Sequence, residues 1–263
     1  MKTLSILFIP LFLFSKVHFS KVEPYESLVI KASVSAQVTD TKLLLEGTSI
    51  GSNTIIQLDD KIDKIKLSSN KKSLLFINSM LKSNQSILST LNDSLQRQKA
   101  YYRKISTISS ASKSQQDNAF YTYSNTRTQY FSTKEKIDNL KKQRLDINTQ
   151  IAQLKDSIEK KSIRVYKKFL YKLLVNKGDY VTMGTPLAEL KDLTAAKLIL
   201  FLEADEIKNI KTKRIYINDQ ATELKISKIW SVTDEKFISS YRSEIVIKHP
   251  KYKFSKLLKV EFK

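Results

Sequence analysis

Val175-Asn176-Lys177-Gly178-Asp179-Tyr180-Val181-Thr182-Met183-Gly184-Thr185-Pro186-Leu187-Ala188-Glu189-Leu190 is the stretch that decides the fold. Short runs of apolar residues flank Gly178, and Gly184 follows just past Val181. Glycine takes positive φ without steric cost, so Gly-x-x-Val reads as a tight turn between short strands. Pro186 then falls at the start of the next strand, where a missing N–H does least harm. The chain carries a second version of this pattern. Gly47 precedes Gly178 by 131 positions, and the same offset sets Val34 on Val165, Val38 on Phe169, Leu43 on Leu174 and Leu44 on Val175. It continues with Ile50 on Val181, Asn53 on Gly184 and Ile56 on Leu187. Asn is the residue next most tolerant of positive φ, so Asn53 is expected to turn the chain where Gly184 does. Gly47, Asn53, Gly178 and Gly184 are the four expected turn positions of two half-motifs, residues 21–59 and 165–195.

Between the halves, Asp60 to Val165 contains neither Pro nor Gly. Apolar residues recur there with a seven-residue period: Leu74, Ile77, Leu81, Leu88, Leu91, Leu95, Tyr102 and Ile105. Asn84 and Gln98 fall in the same register. A second series runs through Tyr123, Tyr130, Ile137, Leu140, Ile147, Ile151, Leu154, Ile158 and Val165, interrupted by Arg144 and Lys161. This period predicts a coiled coil of two helices over 60–164. The serine-rich stretch 106–114 is the reversal point, because hydroxyl side chains cap helix ends. Each arm is roughly 48 residues, about 70 Å at the α-helical rise. A generic dimerising coiled coil has the same period.

The chain has 263 residues, no Cys and a formal charge of +20. Lys and Arg outnumber Asp and Glu by 21 to 9 over residues 60–165, so the excess sits mainly on the helical segment. A basic surface raises a nucleic-acid reading. These charges are spread along both arms, however, and no nucleic-acid-binding motif accompanies them. The absence of Cys removes disulfides, thiolate metal sites and cysteine nucleophiles.

Met1-Lys2 is followed by an apolar run from Leu4 to Phe14 and then by polar residues. One cation, about 11 apolar residues and a polar exit fit an export signal over residues 1–20, cut near Ser15 or Ser20. An uncleaved N-terminal anchor is the alternative. Export weakens the nucleic-acid reading.

After the second half-motif, Leu198–Glu203 reads as a strand and residues 204–210 as a short helix. Strands follow near 214–217, 222–232, 238–248 and 257–262, with turns at Asn218-Asp219 and His249-Pro250. Several short strands and one small helix predict a small β-barrel over 196–263, with Trp230 in its core. No catalytic constellation is present: no nucleophile elbow, phosphate loop or clustered metal ligands. His18 would leave with a signal cut at Ser20, and His249 reads as a turn residue. No enzymatic activity, cofactor or metal is expected.

The stretch around Gly178 and Gly184 resembles the turn of biotinyl/lipoyl-type domains, in which two half-motifs form a flattened β-sandwich. A carrier would present a modifiable Lys on the turn joining its halves. Lys61 instead lies at the helix entry, after Asp59-Asp60. A lipoyl-like sandwich (barrel-sandwich hybrid) split by a long helical hairpin and followed by a β-barrel is similar to the HlyD-like membrane fusion proteins, or periplasmic adaptors. The resemblance covers residues 25–262 and implies an α+β multidomain fold. Two departures stand out: the family's Pro and Gly in the re-entry strand are replaced by Val165-Tyr166-Lys167-Lys168-Phe169, and its Gly before the last strand by Lys256-Leu257-Leu258. A complete membrane-proximal domain, which many adaptors add, is not expected from the residues on either side of these units.

Adaptors that engage TolC-like channels carry Arg, Leu and Ser at the hairpin tip, followed by an acidic residue and Ala. Here Ser112, Asp117 and Ala119 match at the family spacing, Ile105 stands for Leu, and Tyr101 occupies the Arg position with Arg103 nearby. The resemblance thus makes Tyr101, Arg103, Ile105 and Ser112 the candidate docking residues, with Ser112 free of any core duty. It implies a periplasmic adaptor between an inner-membrane transporter, of RND or ABC type, and a TolC-like outer-membrane channel. The family works as a homo-oligomer, usually a hexameric ring, and no nucleic acid is expected as a partner. An exported basic coiled-coil protein binding envelope polymers or nucleic acid, and a prosthetic-group carrier, are the rival readings.

Overall fold

A computed structural model describes residues 16–263. Its longest feature is a pair of helices, α1 (Lys61–Thr107) and α2 (Lys113–Lys160). They run antiparallel: Asp63 meets Ser157, Asn70 meets Gln150, and Tyr102 meets Phe120 and Tyr123. The heptad stripe is the seam. Ile77 and Leu81 bury against Ile137 and Leu140, with Leu88 and Ile147 packed beside them. Asn84 is also buried in the seam and donates its side-chain N–H to the Met80 carbonyl at 2.7 Å. A polar residue at such a position fixes register at some cost in stability. With 47 residues, α1 is about 70 Å long.

The remainder is antiparallel sheet. The strands are β1 (Val17–Lys21), β2 (Glu23–Lys31), β3 (Ala36–Thr41), β4 (Thr48–Leu58), β5 (Ser162–Leu173), β6 (Tyr180–Val181) and β7 (Pro186–Glu203). After a short helix, α3 (Ala204–Ile207), come β8 (Ile215–Ile217), β9 (Gln220–Ala221), β10 (Ile226–Thr233), β11 (Ser240–Lys248) and β12 (Leu257–Phe262). One sheet has the order β10-β11-β7-β5-β4-β3-β6, with β2 also pairing β7; the other is β1-β12-β8-β9.

The helices interrupt the sheet between β4 and β5, which pair with each other. Two cores result. The first gathers Val38, Ile50, Ile56, Val165, Val181 and Leu187 among others; the second gathers Leu198, Leu200, Ile215, Ile245, Leu258 and Val260. The 18-residue β7 serves both, with Leu187 and Leu190 in the first and the alternating Ala196, Leu198, Leu200 and Leu202 in the second. Where it passes between them, Asp192 accepts from Lys168 Nζ at 2.7 Å and from the N–H and hydroxyl of Thr194. The Lys168 ammonium and the Thr194 donors hold the Asp192 carboxyl down to about 2.

Several expectations need correction. Gly47, Gly178 and Gly184 have φ of 72°, 100° and 89°, whereas Asn53 has no positive φ and lies within β4 opposite Val165. The two half-motifs therefore part: β4 runs through as one long strand towards α1, while its counterpart breaks at Gly184 between β6 and β7. They also part at Leu44, 96% exposed on a single 3-10 turn, against Val175 at 6%. The re-entry strand forms with Lys167 at φ 47°, where the family has Pro and Gly. Ahead of the last strand, Ser255 takes φ 68° in place of a glycine.

The expected export signal lies largely outside the described residues; of its two expected cuts, one near Ser20 would remove most of β1, and one near Ser15 would leave that strand whole. Val17–Lys21 pairs with β12, and His18 contacts Glu206 at 2.8 Å and the Phe262 ring. Trp230 is not core; it lies half-buried on the outer face of β10, with Lys228 and Arg242 against its ring. Its strand sits at the sheet edge, where only one face is covered.

Candidate functional site

The far end of the helical hairpin is closed by hydroxyls. Near the end of α1, the Arg103 carbonyl accepts from Ser106 Oγ at 2.9 Å and the Lys104 carbonyl from Thr107 Oγ1 at 3.0 Å. These bonds satisfy acceptors that a helix end leaves open. Ile108 leaves the helix in an extended conformation, and Ala111 N–H returns to its carbonyl at 3.2 Å. Ser112 then caps α2. Its Oγ accepts the Gln115 N–H at 3.2 Å while Gln115 Oε1 accepts the Ser112 N–H at 2.9 Å, a reciprocal capping box. Lys113 and Asp117 pair at 3.2 Å on the exposed first turn of α2.

Below the turn the helices are joined by aromatic rings. Tyr102 stacks on Tyr123 with centroids 5.9 Å apart and planes at 3°, and lies 5.6 Å from Phe120. Ala119 is buried beneath them, and its small side chain lets the helices approach. The tip is thus a rigid platform with an exposed rim.

Of the candidate docking residues, Arg103 and Tyr101 are exposed and Ile105 is half-buried. Arg103 makes no ion pair among the described residues. The structure does not bring Tyr101 and Arg103 together: two positions apart, they face directions about 200° apart around α1. Ser112 is exposed, but it is not without structural duty, since its oxygen is committed to the cap. Gln115 was missed, although Ser-x-x-Gln ahead of a helix is a legible capping signal. Ile108, exposed at the turn itself, had no periodic partner to mark it.

Comparison with solved structures places this geometry. MacA from Actinobacillus actinomycetemcomitans superposes with a TM-score of 0.67 over 95% of this chain and 78% of its own, at 15% identity. The membrane fusion protein Spr0693 from Streptococcus pneumoniae R6 gives 0.63 over 95% and 99%, at 10% identity. A MacA-MexA chimera carrying the Pseudomonas aeruginosa MexA α-hairpin domain gives 0.54 over 95% and 81%, at 14% identity. The fold is that of a membrane fusion protein. No family model matches the sequence, and no curated protein does.

Within that membrane fusion protein fold, the hairpin base is as firmly built as the tip. Asp63 takes Lys161 Nζ at 2.9 Å and Ser157 Oγ at 2.7 Å, and all three are part-buried where α1, α2 and β5 meet. The Lys161 ammonium, then the Ser157 hydroxyl, hold the Asp63 carboxyl below the usual carboxylate range. Gln57 adds donations to the Leu58 and Lys161 carbonyls and to Asp60.

Along one flank of α1, Phe76, Met80, Ile87 and Tyr101 stay exposed, Phe76 by 70%. They form a second stripe about 100° around the helix from the seam. Tyr101 therefore belongs to a lateral face as much as to the tip. No helix among the described residues is long and apolar enough to cross a membrane. Among the same residues no three His, Asp or Glu side chains gather as metal ligands.

Proposed function

We propose that this chain is a periplasmic adaptor linking an inner-membrane transporter, of RND or ABC type, to a TolC-like outer-membrane channel. The observation that carries this reading is the long helical hairpin, closed at a rigid and exposed tip, within the fold of a membrane fusion protein. On this reading the first core is a split lipoyl-like sandwich and the second a small β-barrel, which together seat the protein on its transporter. Arg103, Ile105 and Ile108 at the rim then supply a cation and apolar knobs for grooves between channel helices. Ser112 acts mainly by shaping the turn. The apolar flank of Phe76, Met80 and Ile87 is the surface a neighbouring hairpin covers in a homo-oligomeric ring, hexameric as in the adaptor family. The work of the protein is mechanical, with no catalytic step.

The absence of Cys from the whole chain allows a direct test. A single cysteine at Ser110→Cys, in the turn and away from the capping box, carries a photoreactive probe; Asn148→Cys on α2 reports background. In the native host, position 110 is expected to capture an outer-membrane channel that position 148 does not. Equal capture from both positions, or capture of the chain alone, overturns the docking role. Capture of anionic polymers that is abolished by salt would favour the rival reading of a basic envelope-binding coiled coil, which the +12 excess on residues 60–165 supports.

A further inference from the structure

An antiparallel sheet with one buried face normally shows polar residues on the other. Around β10 and β11 the outer face departs from this. Inward, Leu200, Leu202 and Ile245 fill the second core. Outward stand Phe201, Trp230, Val232 and Phe237, of which Val232 is 75% exposed. The register explains the opening between them. Ile229 pairs with Ser243 and Thr233 with Tyr241, so three residues of β10, Trp230 to Val232, face the single Arg242. Such a bulge bends the strand and re-aims its side chains.

The result is a cavity of about 460 Å³ between these residues, within the usual size range of small-molecule sites. Phe237 folds over one side, its ring 4.3 Å from that of Phe201. Its turn is held by Asp234, whose Oδ1 accepts the N–H groups of Lys236 and Phe237 at 2.9 and 3.2 Å. Arg242 forms the polar end. Its guanidinium lies 4.8 Å from the Trp230 ring and donates once to Glu244 at 2.9 Å. Its Nε–H has no acceptor among the described residues and is closed to solvent.

The geometry points to a binding site for a small carboxylate with an apolar body, aromatic or branched. The body lies among Trp230, Val232 and Phe237, and the carboxylate meets the accessible edge of the Arg242 guanidinium. The guanidinium is a charged donor, and an ionised acceptor binds it more strongly than a neutral one. Of the two acidic residues in the lining, Asp234 turns its carboxylate into its own loop, and Glu235 is exposed to solvent with the cation of Lys236 next in the chain. Glu244 accepts from Nη2 of the same guanidinium and helps hold it in place. The site rests on the sheet alone and stands apart from the adaptor reading.

Trp230 is the only tryptophan in the chain and borders both this cavity and a neighbouring one beside Ile207 and Tyr241, so its emission reports binding at either. Variants at Phe237 and Arg242, which line the first and not the second, tell them apart. The full chain is titrated with phenylbutyrate and, separately, with phenylbutanol, which has the same body without the charge. The acid should change Trp230 emission saturably, and the alcohol should bind at least about tenfold more weakly. Arg242→Gln should bring the acid down to the level of the alcohol, and Phe237→Ala should weaken both. Circular dichroism confirms that each variant is folded; if Arg242→Gln is not, Arg242→Lys retains the charge, lacks the planar fork of donors and should also reduce the preference. No saturable response to either compound, equal binding of acid and alcohol, or an acid preference that survives at position 242 overturns the assignment.

Discussion

Lys167 is a lysine in a glycine's conformation. At φ 47° its Cβ crowds its own backbone, a strain of about 1–2 kcal/mol for an L-residue. Replacing it by Gly removes that strain but adds freedom to the unfolded chain, so Lys167→Gly should stabilise by about 0.5 kcal/mol. A urea denaturation midpoint that rises for Gly but not for Ala confirms it; equal effects would mean that no strain is stored there. At Ser112 the expectation has the opposite sign. Ser112→Ala loses the cap and should cost about 1 kcal/mol, read as faster amide exchange at Gln115 with the sheets unaffected. Such single positions were the least legible in the sequence. Gly47, Gly178 and Gly184 were marked by residue type, but Lys167 is held by the pairing of β5 with β4 on either side of it, and Ser255 by a turn whose N–H donates to the Val22 carbonyl. Asn53 misled because its permissiveness is only local, whereas its pairing with Val165 is tertiary.

The helices were the most legible elements, since a heptad pattern over two long segments without Gly or Pro has few other solutions. What periodicity could not show is the junction at their base. Asp63 is held low by Lys161 and Ser157, so its ionised form is favoured in the folded state. The stability it contributes is complete above the ordinary carboxylate value of about 3.9 and is lost as pH falls through the lower folded value. Amide exchange around Lys161 should therefore accelerate below about pH 4 in the parent protein, while Asp63→Asn should exchange faster at neutral pH and show little of that dependence. The exposed flank carries a separate expectation. Phe76→Glu with Ile87→Glu should leave the helical circular dichroism unchanged and abolish self-association in analytical ultracentrifugation. An unchanged oligomer would show that this flank is not a contact between copies. The shortest strands escaped notice, β6 and β9 having two residues each, too few to show any alternation.

At the scale of the molecule, the division of the sheet around the hairpin was readable from one repeated offset. The continuity of β7 between the two cores was not, because a strand that changes core keeps the same apolar alternation. Asp192 sits at that passage, with its carboxyl held at about 2 by Lys168 and Thr194. Its contribution is present above about pH 4 and is lost as pH falls through about 2. The low-pH arm of the unfolding curve should thus flatten in Asp192→Asn; an unaltered arm would place the acid sensitivity elsewhere. One further consequence follows from the pairing of β1 with β12. Among the described residues the first strand is completed by the last, so the β1-β12-β8-β9 sheet cannot close until β12 has emerged. Loop closure over such a separation is slow, and β1 must wait, unpaired, while the helices zip locally. A force applied at residue 16 would act first on this late-closing seam, peeling β1 from β12 before it reached the helices, so the molecule would yield where these two strands meet.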